Sequence, residues 1–166
     1  MKALFIGRFQ PFHKGHLMAL QSIAKEYKEI IIGIGSSQYS HTPENPFTAE
    51  ERKKMIERSL QEAGIKNFKI IYIPDIHNYP KWVSHVLSIT SDFDIVISNN
   101  DLTKKLFAEK GFTIRETKVF DRKKYSGREI RKRMIKDKAW MDLVPRPVVD
   151  IIKKCNGVQR LKKTIR

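Results

Sequence analysis

Apolar positions along the chain form short continuous runs that alternate with segments of helical spacing. Such runs are typical of parallel strands that are buried on both faces. We predict strands over residues 3–7, 29–34, 68–73, 93–98 and 113–120. Between them we predict helices over residues 16–27, 48–63, 82–88 and 102–110. This alternation predicts an α/β fold, with a Rossmann-like doubly wound parallel sheet of about five strands.

The last third of the chain has helical spacing and no strand-like run. Pro145 and Pro147 interrupt the helical pattern, and Gly157 separates a short basic tail. A length of 166 residues allows one domain of ordinary size. We therefore predict a single domain over 1–166, with an α/β core over 1–120 and a basic helical C-terminal segment over 121–166.

The net charge of +15 is concentrated in that C-terminal segment. Residues 1–117 carry sixteen basic and thirteen acidic side chains, whereas residues 118–166 carry seventeen and five. A cationic block of this kind serves nucleic acid, a membrane surface or a polyanionic small molecule such as a nucleoside triphosphate. Composition alone does not choose among the three.

Other features of the sequence favour a cytoplasmic protein with no membrane partner. The chain has no run of about 18 uncharged apolar residues, which a membrane-spanning helix would need. Its N-terminus enters an apolar strand after one lysine, unlike a secretory signal. Its only cysteine, Cys155, can form no internal disulfide.

The segment after the first predicted strand carries the candidate chemistry: Gly7-Arg8-Phe9-Gln10-Pro11-Phe12-His13-Lys14-Gly15-His16. In parallel α/β sheets, ligands bind at the carboxyl ends of strands. His13 and His16 lie at a predicted helix N-terminus, where free N–H groups and the helix dipole attract phosphate, and Lys14 adds a donor. No Ser, Cys or Asp is paired with a base here. The segment therefore suits stabilisation of charge on a phosphoryl group better than covalent catalysis.

Two other interpretations of the histidine pair are a metal site and two exposed loop residues. A metal site would need a third ligand. The spacing of the remaining histidines does not guarantee one; these are His41, His77 and His85. We favour phosphate binding because of the position of the pair, and we predict no metal-ligating residues.

A second candidate anion site is the segment Tyr125-Ser126-Gly127-Arg128-Glu129-Ile130-Arg131. Ser126 and Glu129 have the spacing of a capping box, which predicts a helix N-terminus. Arg128 and Arg131 at that terminus suit the terminal phosphates of a triphosphate.

The two segments together resemble the nucleotidyltransferase superfamily that transfers adenylyl or cytidylyl groups. The whole chain resembles the archaeal type of nicotinamide mononucleotide adenylyltransferase. Further segments resemble that family in order and separation: Ile34-Gly35-Ser36-Ser37-Gln38, Ser40-His41-Thr42, Asn45-Pro46-Phe47-Thr48-Ala49, Glu51-Arg52, Trp82-Val83 and Leu143-Val144-Pro145.

The resemblance implies an in-line displacement, in which the 5′-phosphate of a mononucleotide attacks the α-phosphorus of ATP and pyrophosphate leaves with Mg²⁺. The catalytic residues implied are His13, His16, Arg8, Lys14 and Arg131. The ATP-binding residues implied are Gly7, Arg8, Phe9, His13, Lys14, Gly15, His16, Ser126, Arg128 and Arg131. The acceptor-binding residues implied are Ser36, Asp75 and Trp82. Because members of that family are commonly oligomeric, the resemblance also implies a homo-oligomer, either a tetramer or a hexamer.

The chain departs from the family pattern in three places. His77 and Tyr79 replace the usual residues of the nicotinamide-facing segment, Asn99-Asn100-Asp101 replaces a Ser-Gly-Asn-Pro turn, and Arg128 stands where Thr is usual. The acceptor therefore stays open among nicotinamide mononucleotide, nicotinic acid mononucleotide, FMN and phosphopantetheine. A basic nucleic-acid-binding protein is the alternative from another class, which we do not expect because aromatic residues are sparse in the cationic segment.

Overall fold

The computed structural model describes residues 1–165, which form a five-stranded parallel sheet with helices on both faces. The strands are β1 (Lys2–Gly7), β2 (Glu29–Gly35), β3 (Phe68–Ile73), β4 (Ile95–Ile97) and β5 (Thr113–Arg115). Their order in the sheet is β3-β2-β1-β4-β5, and all neighbours are parallel. The predicted α/β fold with a doubly wound parallel sheet is confirmed.

Seven helices surround the sheet in the part of the chain described. They are α1 (Lys14–Ile23), α2 (Ala49–Glu62), α3 (Tyr79–Ile89), α4 (Asp101–Glu109), α5 (Gly127–Ile135), α6 (Arg146–Lys154) and α7 (Gly157–Lys163). The start of α2 follows from its capping box, in which Glu51 N donates to Thr48 Oγ1 (3.1 Å) and Thr48 N donates to Glu51 Oε1 (2.9 Å).

Several predicted boundaries are wrong. The fourth strand was expected over 93–98 and spans Ile95–Ile97. The first helix was expected over 16–27 and ends at Ile23, before a short 3₁₀ helix over Ala24–Glu26, and the third was expected over 82–88 and begins earlier, at Tyr79.

β5 was expected to reach residue 120 and ends at Arg115, because β4 offers it only three partner residues. Beyond that point Thr117 N donates to the Asn99 side chain instead of a strand (2.9 Å). The tail after Gly157 is not a separate basic extension either. It folds as α7, whose Leu161 is fully buried.

The apolar side chains form one cluster on each face of the sheet. Leu4, Ile31 and Val96 pack with α3 and α4 on one face. Their neighbours in sequence, such as Ala3 and Ile30, pack on the other face with α1, α2 and the three C-terminal helices. The C-terminal segment therefore shares its core with the sheet. Within residues 1–165, no helix is both long and apolar enough to cross a membrane.

Candidate active site

The turn between β1 and α1 is fixed by side chains from other parts of the chain. Gln10 is buried and binds the backbone of Phe47 on both sides, donating from Nε2 to the Phe47 carbonyl (3.0 Å) and accepting from Phe47 N at Oε1 (2.9 Å). Phe9 adopts a left-handed backbone conformation (φ 55°), which costs free energy in a residue with a side chain. The surrounding contacts hold the turn in this shape.

His13 and His16 cap the start of α1 reciprocally. His16 N donates to His13 Nδ1 (3.3 Å), and His13 N donates to His16 Nδ1 (3.2 Å). The rings stack with centroids 3.6 Å apart. Because each Nδ1 accepts a hydrogen bond, the proton of each neutral ring lies on Nε2. The cap therefore leaves two Nε2–H donors side by side at a helix N-terminus.

Both imidazoles are neutral near pH 7. Burial lowers the pKa of His13 to about 4. Burial also lowers the pKa of His16, and the neighbouring His13 lowers it further. The pair thus offers hydrogen bonds to an anion without adding a full positive charge.

The positive charge of the site comes from arginines. Arg131 projects from α5 and donates from Nη1 to the Gln10 carbonyl (2.8 Å). Burial, together with the nearby charges of Arg8 and Arg128, lowers the pKa of Arg131 to about 10. The guanidinium groups of Arg8 and Arg128 therefore each lie close enough to Arg131 to repel it, and a bound polyanion would relieve that repulsion.

Helix α5 begins directly against this turn. Ser126 caps it by accepting from Glu129 N at Oγ (3.1 Å). Only this half of the predicted capping box forms, because the Glu129 carboxylate accepts from Arg133 Nε instead (3.2 Å). A Cβ added at Gly127 would lie 2.8 Å from Arg131 Nη1 and 3.0 Å from the Gln10 carbonyl oxygen. A side chain here would therefore displace Arg131 Nη1 from the Gln10 carbonyl.

Two cavities meet at the carboxyl end of β1, and both are lined by Ile6 and Asn100. The histidine cavity, of about 360 Å³, is lined among others by His13, Gly15, His16, Ser126 and Gly127. The tryptophan cavity, of about 460 Å³, is lined among others by Gly7, Arg8, Ser36, Asp75 and Trp82. Both volumes suit a small-molecule ligand.

The tryptophan cavity brings together all three predicted acceptor residues. Trp82 is half-buried and places its ring edge-on to Phe107, with centroids 5.5 Å apart. Asp75 Oδ1 accepts from His77 N (2.8 Å), which leaves the other carboxylate oxygen for a ligand. Ser36 has a left-handed backbone conformation (φ 46°).

The rim beside Asp75 joins the ends of β2 and β3. Gln38 donates from Nε2 to the Asp75 carbonyl (2.7 Å) and accepts from Asp75 N at Oε1 (2.8 Å). The Tyr39 hydroxyl forms a hydrogen bond with His77 Nε2. His77, one of the departures from the family pattern, thus lies at the edge of the tryptophan cavity.

Sequence reasoning assigned no role to three residues that shape the site. Gln10 and Arg52 hold the loops, and Asn99 binds Thr117 through Nδ2 (3.0 Å) and Oδ1 (2.9 Å). For Arg52, the sequence pattern did contain a signal of burial. It lies on the buried stripe of α2, which also contains Met55, Ile56, Ser59 and Leu60. A charged residue at helical spacing among apolar ones indicates a buried polar function.

Comparison with known proteins places this geometry in a family. The family model described as cytidylyltransferase-like matches residues 4–133. The chain belongs to this family. The predicted resemblance to the nucleotidyltransferase superfamily is confirmed.

Archaeal members of the cytidylyltransferase-like family are similar over almost the full length. The chain is 48% identical to the nicotinamide-nucleotide adenylyltransferase of Methanolobus tindarius, covering 97% of this chain and 92% of that protein. It is 46% identical to the protein of the same name from Thermoplasma acidophilum, covering 98% and 90%. These matches confirm the resemblance to the archaeal type.

Solved structures share the fold. A bifunctional NMN adenylyltransferase/ADP ribose pyrophosphatase from Francisella tularensis, complexed with AMP and a manganese ion, superposes with a TM-score of 0.79 at 24% identity. The match covers 98% of this chain and 52% of that protein, so this chain spans about half of the bifunctional protein.

Proposed function

We propose that the protein transfers the adenylyl group of ATP to nicotinamide mononucleotide, giving NAD and pyrophosphate. The curated relatives named above carry the name of this activity. The observation that carries the proposal is the reciprocal histidine cap, which presents two uncharged donors in the histidine cavity, next to the helix that carries Arg131.

The histidine cavity takes ATP in this proposal. The Nε2–H groups of His13 and His16 donate to oxygens of the α- and β-phosphates, where charge develops as the leaving group departs. Arg8 lines the tryptophan cavity, which meets the histidine cavity at the end of β1, and we assign it and Lys14 to further triphosphate oxygens at that junction. Ser126, Arg128 and Arg131, at the start of α5, bind the β- and γ-phosphates that leave as pyrophosphate.

The tryptophan cavity takes the mononucleotide. Trp82 provides a flat surface for the pyridinium ring, and Asp75 accepts a hydrogen bond from the carboxamide NH₂. Ser36, on the loop that follows β2, also lines this cavity. The phosphate of the mononucleotide then lies at the end of β1, close to the ATP site.

The reaction in this geometry is a single displacement. An oxygen of the mononucleotide phosphate forms a bond to the α-phosphorus, and the bond from that phosphorus to the bridging oxygen of the β-phosphate breaks. The attacking phosphate is already an anion, so no general base is needed. Catalysis rests on positioning and on stabilisation of negative charge.

Magnesium enters this proposal with ATP. Within residues 1–165, no group of three or more His, Cys, Asp or Glu side chains could hold a metal ion. The lining of the histidine cavity contains no carboxylate. Mg²⁺ prefers oxygen ligands and is commonly held by substrate phosphates. The residues present do not form a protein site for the ion, and no step is assigned to it.

We also propose that the protein is a tetramer or hexamer. Tyr72, Ile76 and Tyr79 are exposed near the end of the edge strand β3, where a second copy could cover them. Light scattering after gel filtration measures the mass, and a monomer at micromolar concentration would contradict the proposal.

The function is tested by incubating the protein with ATP, Mg²⁺ and each candidate acceptor, and identifying the products by mass spectrometry. We expect NAD and pyrophosphate from nicotinamide mononucleotide, and no dinucleotide when ATP is omitted. The other acceptors to include are nicotinic acid mononucleotide, FMN and phosphopantetheine. Transfer to one of these without transfer to nicotinamide mononucleotide would overturn the substrate assignment.

A further inference from the structure

Arg52 is a fully buried arginine that binds the backbone of both loops at the carboxyl edge of the sheet. Its Nη1 donates to the carbonyl of Arg8, after β1, and to that of Gly35, at the end of β2 (both 2.9 Å). Its Nη2 donates to the carbonyls of Ser36 and Tyr39 (both 3.3 Å). One guanidinium group therefore joins two loops that are far apart in sequence.

The charge of Arg52 is balanced by carbonyl dipoles. Within residues 1–165 no ion pair joins Arg52 to a carboxylate, although Glu51 is its neighbour in sequence. Glu51 instead forms a two-pronged pair with Arg160 of α7 (2.6 and 3.0 Å). Burying a charged group costs free energy, because the group loses its hydration. Since Arg52 donates to carbonyl groups and forms no ion pair in the described part of the chain, its burial needs another explanation.

Three of the residues whose carbonyls Arg52 binds line the same cavity. Arg8, Gly35 and Ser36 line the tryptophan cavity, and none of the three lines the histidine cavity. In a trans peptide the C=O and N–H groups point in opposite directions. Because Arg52 holds the carbonyls of Arg8 and Gly35, the N–H groups of Phe9 and Ser36 point away from it. Phe9 and Ser36 also adopt left-handed backbone conformations.

We propose that Arg52 is a positioning residue for the mononucleotide, which fixes the two loops of the tryptophan cavity by binding their carbonyl groups. The proposal rests on the proposed function for the identity of the ligand. Its structural part, the coupling of the two loops through one guanidinium, stands independently. Arg52 acts through the backbone and touches no substrate.

The test compares Arg52→Lys with Arg160→Lys. A lysine keeps the charge but lacks the planar fork that binds several carbonyls. Arg160 is a matched control because it also binds a carbonyl near the start of α2, that of Pro46 (3.1 Å), which does not line the tryptophan cavity. We expect Arg52→Lys to raise the KM for the mononucleotide about tenfold or more and the KM for ATP less than about threefold. Arg160→Lys should change neither KM by more than about threefold.

Amide hydrogen exchange without substrate supplies the second readout. In Arg52→Lys the amides of residues 8–9 and 35–40 should exchange about tenfold faster or more, while those of α6 stay unchanged. If the wild-type protein fails to use nicotinamide mononucleotide, the proposed function is wrong, and this exchange difference still supports the coupling of the loops.

Three results would overturn the proposal. The first is a folded Arg52→Lys protein with an unchanged KM for the mononucleotide and unchanged exchange in both loops. The second is an equal rise in the KM for both substrates, together with faster amide exchange throughout the molecule. The third is failure of both Arg52→Lys and Arg52→Met to fold, since Arg52 would then serve folding alone.

Discussion

The two cavities at the end of β1 are built in different ways. The two imidazole donors of the histidine cavity come from one continuous segment, in which His13 and His16 are three residues apart and cap one helix. The tryptophan cavity is assembled from the ends of three strands and from two helices, with Asp75 and Trp82 far in sequence from Gly7. The imidazoles of the histidine cavity are close together in sequence. Recognition in the tryptophan cavity depends instead on how loops from separate parts of the chain are held.

The largest effect is expected on the histidine side. His16→Ala should lower kcat at least about 100-fold, because a lost donor at developing phosphoryl charge costs roughly 3–4 kcal/mol. Steady-state kinetics measures this, with circular dichroism as the check on folding. Near-normal turnover would remove His16 from the mechanism.

His16→Glu separates capping from catalysis. A glutamate at this helix position can still accept from the N–H of His13, as in an ordinary capping box, but it carries no donor. We expect its thermal stability to match that of the wild type, with turnover no higher than that of His16→Ala. Recovery of turnover would show that His16 acts only as a cap.

A smaller effect is expected for Arg131→Ala, which should lower kcat/KM for ATP about 10- to 100-fold, as for the loss of a charged hydrogen bond. The effect on the mononucleotide KM should be smaller, since Arg131 projects from α5 beside the histidine cavity. Arg133→Ala is the matched control, because Arg133 lies on the same helix and binds Glu129 and the Ala139 carbonyl. A change confined to the mononucleotide KM would reverse the assignment of the two cavities.

On the tryptophan side, Trp82→Ala should raise the KM for nicotinamide mononucleotide about 2- to 30-fold, as expected for loss of a contact between a cation and an aromatic ring. Trp82→Phe keeps a ring next to Phe107 and should recover most of the loss. An unchanged KM in Trp82→Ala would mean that Trp82 serves packing alone.

The difference between the cavities also explains what the sequence predicts. The span of β3 was predicted without error because Pro74 stops the apolar run, and the start of α2 because Thr48 and Glu51 form a cap. The histidine pair was found because its motif is contiguous. Roles for Gln10 and Arg52 were missed because most of their partners are backbone groups 13 or more residues away, in loops whose shape depends on the folded structure.

Backbone conformation is the other feature that could not be predicted from the sequence. Phe9 and Ser36 both adopt left-handed conformations, which sequence patterns predict chiefly for glycine and asparagine. Both lie on loops bound by Arg52. The conformation therefore follows from tertiary contacts, and a sequence pattern carries no signal for it.

The smallest effect is expected from a change of pH. It tests whether the imidazoles of the histidine cavity are buried and neutral. Since the pKa of His13 is lowered from 6.5 to about 4, the ring stays neutral between pH 8 and 6. Its C2–H NMR signal should titrate with a midpoint near 4 in the folded protein and near 6.5 in urea. Between these values the unfolded chain binds more protons, so the stability due to His13 falls as the pH drops from 6.5 towards 4. A midpoint near 6.5 in the folded protein would show a hydrated ring, and the donors on the histidine side would then carry charge.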